Sequence, residues 1–263
     1  MTSVPRLLPA DFEARLDAAV SQFWQTRSKS PKPTGQGGGR DAVVSGKNMQ
    51  GFADLVIHVA SHCGIPAEAV HTRKSKVILP GFFRATKNWD VLVVHQGRLL
   101  AVFEFKSQVG SFGNNFNNRS EEVIGSAADL WVAHHHRAYS EGPHRSRQWV
   151  KENHPALLNP AILNDPRPPF VGWLMLLEDC AAACTPVSVE EPHFSVFDEF
   201  RGASYAQRYH ILCERLVERQ LYAAAALELS DSVTHGRRSL SPATSLRNLF
   251  SEFAGRMLAA SER

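Results

Sequence analysis

The chain is predicted to be an α/β protein, with a mixed central sheet flanked by helices and a largely helical C-terminal region. Three observations carry that reading. Segments with apolar residues three and four apart alternate with segments apolar at every position or every second one, as packed helices and buried strands require. Two strand-like runs, residues 89–94 and 99–106, are separated by the turn sequence His95-Gln96-Gly97 and read as a hairpin. Beyond residue 180 the helical period dominates.

Residues 10–26 form the first expected helix, with Phe12, Leu16, Val20 and Phe23 on one face. The Pro- and Gly-rich stretch that follows ends it and reads as a flexible arm. Its glycines at residues 37–39 lack the Gly-Lys-Ser/Thr ending of a phosphate-cradling loop. A second helix opens at Asn48 as cap, carries Met49, Phe52, Leu55, Val56, Val59 and Cys63 on one face, and stops at Gly64 before Pro66. A short strand at 76–79 precedes the hairpin. Residues 110–118, GSFGNNFNN, read as a loop, after which a helix begins near residues 118–120 with Glu121 and Glu122 in its first turn. Residues 139–169 are irregular and proline-rich, and residues 170–177, FVGWLMLL, read as a buried strand. The last third is expected to hold one helix over residues 205–229 and another capped by Ser241, with Pro242 at its first position. Domain limits follow: an N-terminal helix and arm at 1–47, a core at 48–180, and a mainly helical region at 181–263.

Composition narrows the class. With 43% hydrophobic residues and a net charge of +3, the chain is ordinary globular material. No apolar run approaches the ~18 residues of a membrane helix, and no signal-peptide pattern opens the chain, so a soluble cytoplasmic protein is expected. The four cysteines make no CxxC pair; Cys180 and Cys184, with His193 nearby, read as structural rather than zinc-binding. Charge is unevenly spread: residues 27–119 hold 13 Lys/Arg against 5 Asp/Glu. Such a basic segment attracts polyanions.

Within that segment the hairpin carries Asp90, Glu104 and Lys106 in strands that are otherwise apolar. Side chains alternate along a strand, so Glu104 and Lys106 share one face and Phe103 and Phe105 the other. Buried carboxylates need a counter-charge or a metal. One alternative is a plain Glu104–Lys106 ion pair at an exposed strand end. The other is metal-assisted phosphodiester hydrolysis, which requires Asp90 on the Glu104 face. A two-residue loop with regular pairing would set Asp90 opposite Phe103 and on the wrong face. We therefore expect a three-residue loop at residues 95–97, pairing Asp90 with Val102, or a bulge with the same effect.

The Asp-x13-Glu-x-Lys spacing of Asp90, Glu104 and Lys106 resembles the PD-(D/E)xK nuclease core, with Trp89-Asp90 in place of Pro-Asp. Residues 79–131, including EFKSQVGSFGNNFNNRSEEVIGSAADLW, more specifically resemble the XhoI family of type II restriction endonucleases. The resemblance implies a restriction-endonuclease-like core and Mg²⁺-dependent double-strand cleavage of DNA at the palindrome CTCGAG, leaving 5′ overhangs. It implies that Asp90, Glu104 and the Phe105 backbone carbonyl hold Mg²⁺, and that Lys106 orients a water, lowers its pKa or balances charge. A homodimer matches a palindromic site, and a cognate methyltransferase is expected in the host. Candidate DNA contacts are Arg84, Lys87, Gln108, Asn114, Asn115, Asn117, Asn118 and Arg119. A structure-selective repair or recombination nuclease of the same superfamily, or a non-catalytic DNA-binding protein, remains an alternative.

Overall fold

The computed structural model describes residues 7–28, 48–139 and 167–262. The Gly/Pro-rich arm, and most of the expected irregular region 139–169, lie outside the described residues. In chain order the elements are α1 (Phe12–Ser28), α2 (Gln50–His62), β1 (Val70–His71), β2 (Ile78–Pro80), β3 (Thr86–Asn88), β4 (Val91–His95), β5 (Arg98–Gln108), α3 (Phe112–His135), β6 (Phe170–Glu178), α4 (Ala181–Cys184), α5 (Tyr205–Glu218), β7 (Ala224–Ser230), β8 (Arg237–Ser239) and α6 (Leu246–Ser261).

Six strands form one mixed sheet in the order β1-β4-β5-β6-β7-β8, and β2-β3 forms a separate two-stranded ribbon. The centre, β5 to β7, is parallel and its flanks are antiparallel. Helices α1, α2 and α6 cover one face, where Phe103, Phe105, Leu174 and Ala226 join their apolar stripes. Helices α3 and α5 cover the other, over Val102, Trp173 and Leu227. Covered on both sides, β6 and β7 are almost wholly buried, which explains the unbroken apolar run at residues 170–177.

Four local expectations are corrected. The helix expected over 205–229 is two elements: α5 stops at Glu218, Gln220 takes φ 58°, and Ala224–Ser230 is a strand. An alanine-rich run favours helix by propensity, but in the middle of a sheet its small side chains let covering helices approach on both faces. The last helix begins not at Pro242 but at Leu246, where Ser245 accepts from the Asn248 amide at 3.1 Å. Asn48 does not cap α2; the N-cap is Met49, which makes no side-chain cap bond. Finally, GSFGNNFNN is not a loop. Gly110 (φ 69°) and Ser111 (φ 48°) turn the chain, and α3 starts at Phe112 because Phe112 stacks on Tyr205 and Phe116 meets Tyr209 edge-on, both on α5. Glu121 and Glu122 accordingly lie well past the first turn and cap nothing.

Candidate active site

The hairpin achieves the required parity by the second expected route. Its loop has two residues, Gln96 (φ 49°) and Gly97 (φ 77°), closed by the His95↔Arg98 pair, not three. A positive φ at both positions gives a type I′ turn, which suits the twist of the strands it joins. A bulge then restores the parity: Val94 faces Leu99 while Val93 faces Ala101, leaving Leu100 extra. The paired register ends at Val91↔Phe103, and Asp90, just before it, lies close enough to Glu104, Lys106 and Lys87 to feel the charge of all three, whereas Val102 faces Leu92.

Asp90 is fixed by its own backbone and side chain. Its N–H donates to the Phe103 carbonyl (3.0 Å), and its Oδ2 accepts from the Phe105 amide (2.7 Å). Carbonyls of alternate residues leave a strand on the same edge, so the Phe105 carbonyl points toward Asp90 as the Phe103 carbonyl does. Burial pushes the Asp90 carboxyl up in pKa, against the Phe105 amide and the Lys106 charge.

Glu104 is 2% exposed and receives two ammonium groups on one oxygen: Lys87 Nζ lies 2.9 Å and Lys106 Nζ 3.1 Å from Oε1. Tyr222, between α5 and β7, directs its hydroxyl to Glu104 Oε2 at 3.5 Å and donates to the Val123 carbonyl at 3.1 Å. Lys106 also meets Glu122 of α3 at 3.4 Å, and Glu122 pairs with Arg119 at 2.7 Å. Burial works against the Lys106 charge, but Glu104 and Glu122 outweigh it and hold the ammonium pKa above that of ordinary lysine. Sequence reasoning missed Glu122 as a partner of Lys106, and it missed Tyr222. Its reading of residues 205–229 as one helix hid the tyrosine, while the placement of Glu122 in a helix's first turn hid the other.

The remaining candidates divide. Lys87 enters the cluster, carried in by β3 and lying 4.5 Å over the Trp89 ring. Arg84 does not: its Nε donates to Asp129 Oδ2 at 2.6 Å. Gln108 is buried, donates to the Gly110 and Ser111 carbonyls and accepts from Tyr209, so it braces the strand–helix corner. Asn114, Asn117 and Asn118 are exposed on the first turns of α3, and Asn115 and Arg119 are half-buried.

Two predictions arise here. If Lys87 positions Glu104, Lys87→Met lowers cleavage by about 10–100-fold, as loss of a supporting ligand contact does, with DNA binding nearly unchanged. A phosphate contact would instead weaken binding and reduce the salt slope by about one. Rates and salt-dependent binding together decide between them. The second concerns Asp129. Burial alone would raise its pKa, but the amides of Phe83 and Phe82 and the Arg84 guanidinium hold it below the ordinary carboxylate value. A depressed folded pKa contributes stability above the unfolded value and loses it as pH falls through the folded one. Thermal midpoints of wild type and Asp129→Asn should therefore converge as pH falls below the ordinary carboxylate range; a constant difference would refute the linkage.

Among the described residues no three or more His, Cys, Asp or Glu side chains gather as a metal cluster. What the hairpin offers is two neighbouring carboxylates, Asp90 and Glu104, with the Phe105 backbone carbonyl on the Asp90 edge of β5. Such an all-oxygen set fits a hard divalent cation such as Mg²⁺, which keeps several waters and takes few protein ligands.

The family model "Restriction endonuclease XhoI" matches residues 28–152 and 151–240. Among curated relatives, the type II restriction enzyme BstVI of Geobacillus stearothermophilus is 44% identical over 200 residues, covering 74% of this chain and 78% of the relative. The type II restriction enzyme XhoI of Xanthomonas vasicola is 40% identical over 213 residues, covering 79% and 76%. AbrI of Azospirillum brasilense, also a type II restriction enzyme, is 39% identical over 190 residues, covering 70% and 75%. No solved structure matches.

Proposed function

The chain belongs to the XhoI family of restriction endonucleases, and from that membership we propose that it is a Mg²⁺-dependent type II enzyme cutting both strands of CTCGAG to leave 5′ overhangs. The observation that carries the chemistry is the convergence at the bulged hairpin of Asp90, Glu104 and Lys106, with Asp90 feeling the charge of both and Lys106 paired to Glu104 at 3.1 Å. Asp90, Glu104 and the Phe105 carbonyl would hold the metal, which when bound supplies Lewis-acid polarisation of the scissile phosphate. The Phe105 amide aims the Asp90 carboxylate, and Tyr222 with Lys87 fixes Glu104. Lys106 then presents an N–H to the attacking water or to the charge that develops on the phosphate.

A palindrome read symmetrically needs two copies of the chain, each cutting one strand, so the working form in this reading is a homodimer. Self-cleavage of the host's DNA is prevented, in the same reading, by a methyltransferase that modifies the same sequence. The test is direct: the protein is incubated with plasmid or phage DNA and Mg²⁺, and the ends are mapped. Discrete fragments ending within CTCGAG support the reading. Discrete cuts at another sequence remove the CTCGAG assignment alone, and cuts that follow DNA structure instead of sequence remove the restriction reading.

A further inference from the structure

The turn between β2 and β3 is built with more care than an exposed turn needs. A carboxylate only 2% exposed, Asp129 of α3, accepts from the amides of Phe82 (2.7 Å) and Phe83 (2.8 Å) and from Arg84 Nε (2.6 Å). Tyr139 donates to the Pro80 carbonyl at 2.9 Å. At Gly81 a Cβ would lie 2.4 Å from Asp129 Oδ2, so the carboxylate can approach only because no side chain is there. Phe82 stacks on His136 (centroids 4.7 Å apart) and buttresses Phe83 edge-on (5.1 Å). The tip so supported, Phe83, is 72% exposed. A single exposed aromatic is unremarkable; one held out by a buried charge, a tyrosine and a stacked ring is preorganised for a contact.

The surroundings say what kind. Between residues 70 and 89 the chain has five basic side chains, Arg73, Lys74, Lys76, Arg84 and Lys87, and no acidic one. Arg73, Lys74 and Lys76 are exposed. Cations interleaved with an aromatic fit a nucleic acid, whose phosphates take the charge and whose bases offer faces to a ring. The ribbon's position also fits, because β3 carries Lys87 onto Glu104 itself.

We propose that Phe83 is a wedge, delivered by the clamped 81–85 turn, that stacks into a base step of the bound duplex beside the cleavage site. The wedge rests on the reading of duplex DNA as substrate and adds a specificity-determining contact to it. Partial unstacking at that step lets the deformability of the sequence, and not only its base edges, contribute to recognition.

The experiment uses the whole protein with duplexes of its mapped cleavage sequence, carrying 2-aminopurine at successive positions through the site and its flanks. Ca²⁺ replaces Mg²⁺ because it takes the same oxygen ligands. Wild type should raise the fluorescence at one step several-fold. Phe83→Ala should abolish that rise and weaken binding about tenfold, with an unchanged thermal midpoint, while Phe83→Trp keeps both the rise and the affinity. Cleavage by wild type with no fluorescence change at any position, or Phe83→Ala binding like wild type, overturns the wedge while leaving the nuclease reading intact. Failure of wild type to bind DNA at all overturns both.

Discussion

Glu104→Gln is expected to reduce cleavage by about a thousandfold or more while duplex binding is retained or tightened. The two halves of that expectation have different causes. The amide cannot supply the anionic oxygen that a hard cation needs, and it no longer balances the two ammonium groups that meet on Glu104 Oε1. Binding moves the other way, because removing one negative charge beside Lys87 and Lys106 makes the floor of the site more positive toward a polyanion. Stability should fall modestly, by about 1–3 kcal/mol for weakened charge-assisted hydrogen bonds. Both lysines retain some contact with solvent, at 13% and 23% of their side-chain surface, and can relax toward it. Cleavage rates, gel-shift titrations and thermal midpoints separate the three quantities. Cleavage within tenfold of wild type would reduce the pair to the plain Glu104–Lys106 ion pair that the sequence also allows.

That the two strands could bring carboxylates together was legible before any coordinates. Strict alternation set Glu104 and Lys106 on one face, and the mismatch of a two-residue turn with Asp90 demanded an irregularity, which the structure supplies at Leu100. Helical stripes were equally legible: every residue expected on the apolar face of α1 or α2 is buried. What sequence periodicity cannot carry is contact between elements far apart in the chain. Lys87 joins Glu104 because a separate ribbon folds back over the sheet, and Tyr222 reaches it across 118 residues. Nor can local propensity register burial. The Asn-rich start of α3 has turn-forming composition, yet Phe112 and Phe116 commit it to helix by packing on α5. The alanines of β7 fail in the opposite sense, and with them went an acidic residue that the sheet buries on its other face.

That residue, Glu228, is fully buried on β7, and it makes Arg237→Ala the substitution from which we expect a large loss of stability. Arg237 of β8 reaches Glu228 Oε1 at 3.1 Å and spreads its remaining donors over Glu13 and Asp17 of α1, both at 2.6 Å. The guanidinium therefore ties the N-terminal helix to the sheet edge, beside the Trp24 indole N–H that donates to Ser230 Oγ at 2.9 Å. The carboxylates of Glu13 and Asp17 are 46% and 64% exposed, so these contacts contribute little by themselves. Glu228 is different: without Arg237 its carboxylate keeps the Ser239 hydroxyl, at 2.7 Å, but loses its ion-pair partner. Stranding a buried charge costs about 3–5 kcal/mol. Urea unfolding should show that loss for Arg237→Ala, and the double variant Arg237→Ala/Glu228→Gln should recover more than half of it, since a neutral amide needs no counter-charge. Because Glu228 faces the α1, α2 and α6 layer while Glu104 faces α3 and α5, the activity per folded molecule should stay at the wild-type level in both variants. A single variant losing less than about 1 kcal/mol, the range of an exposed pair, would mean that water reaches Glu228 and that α1 docks through its apolar face alone.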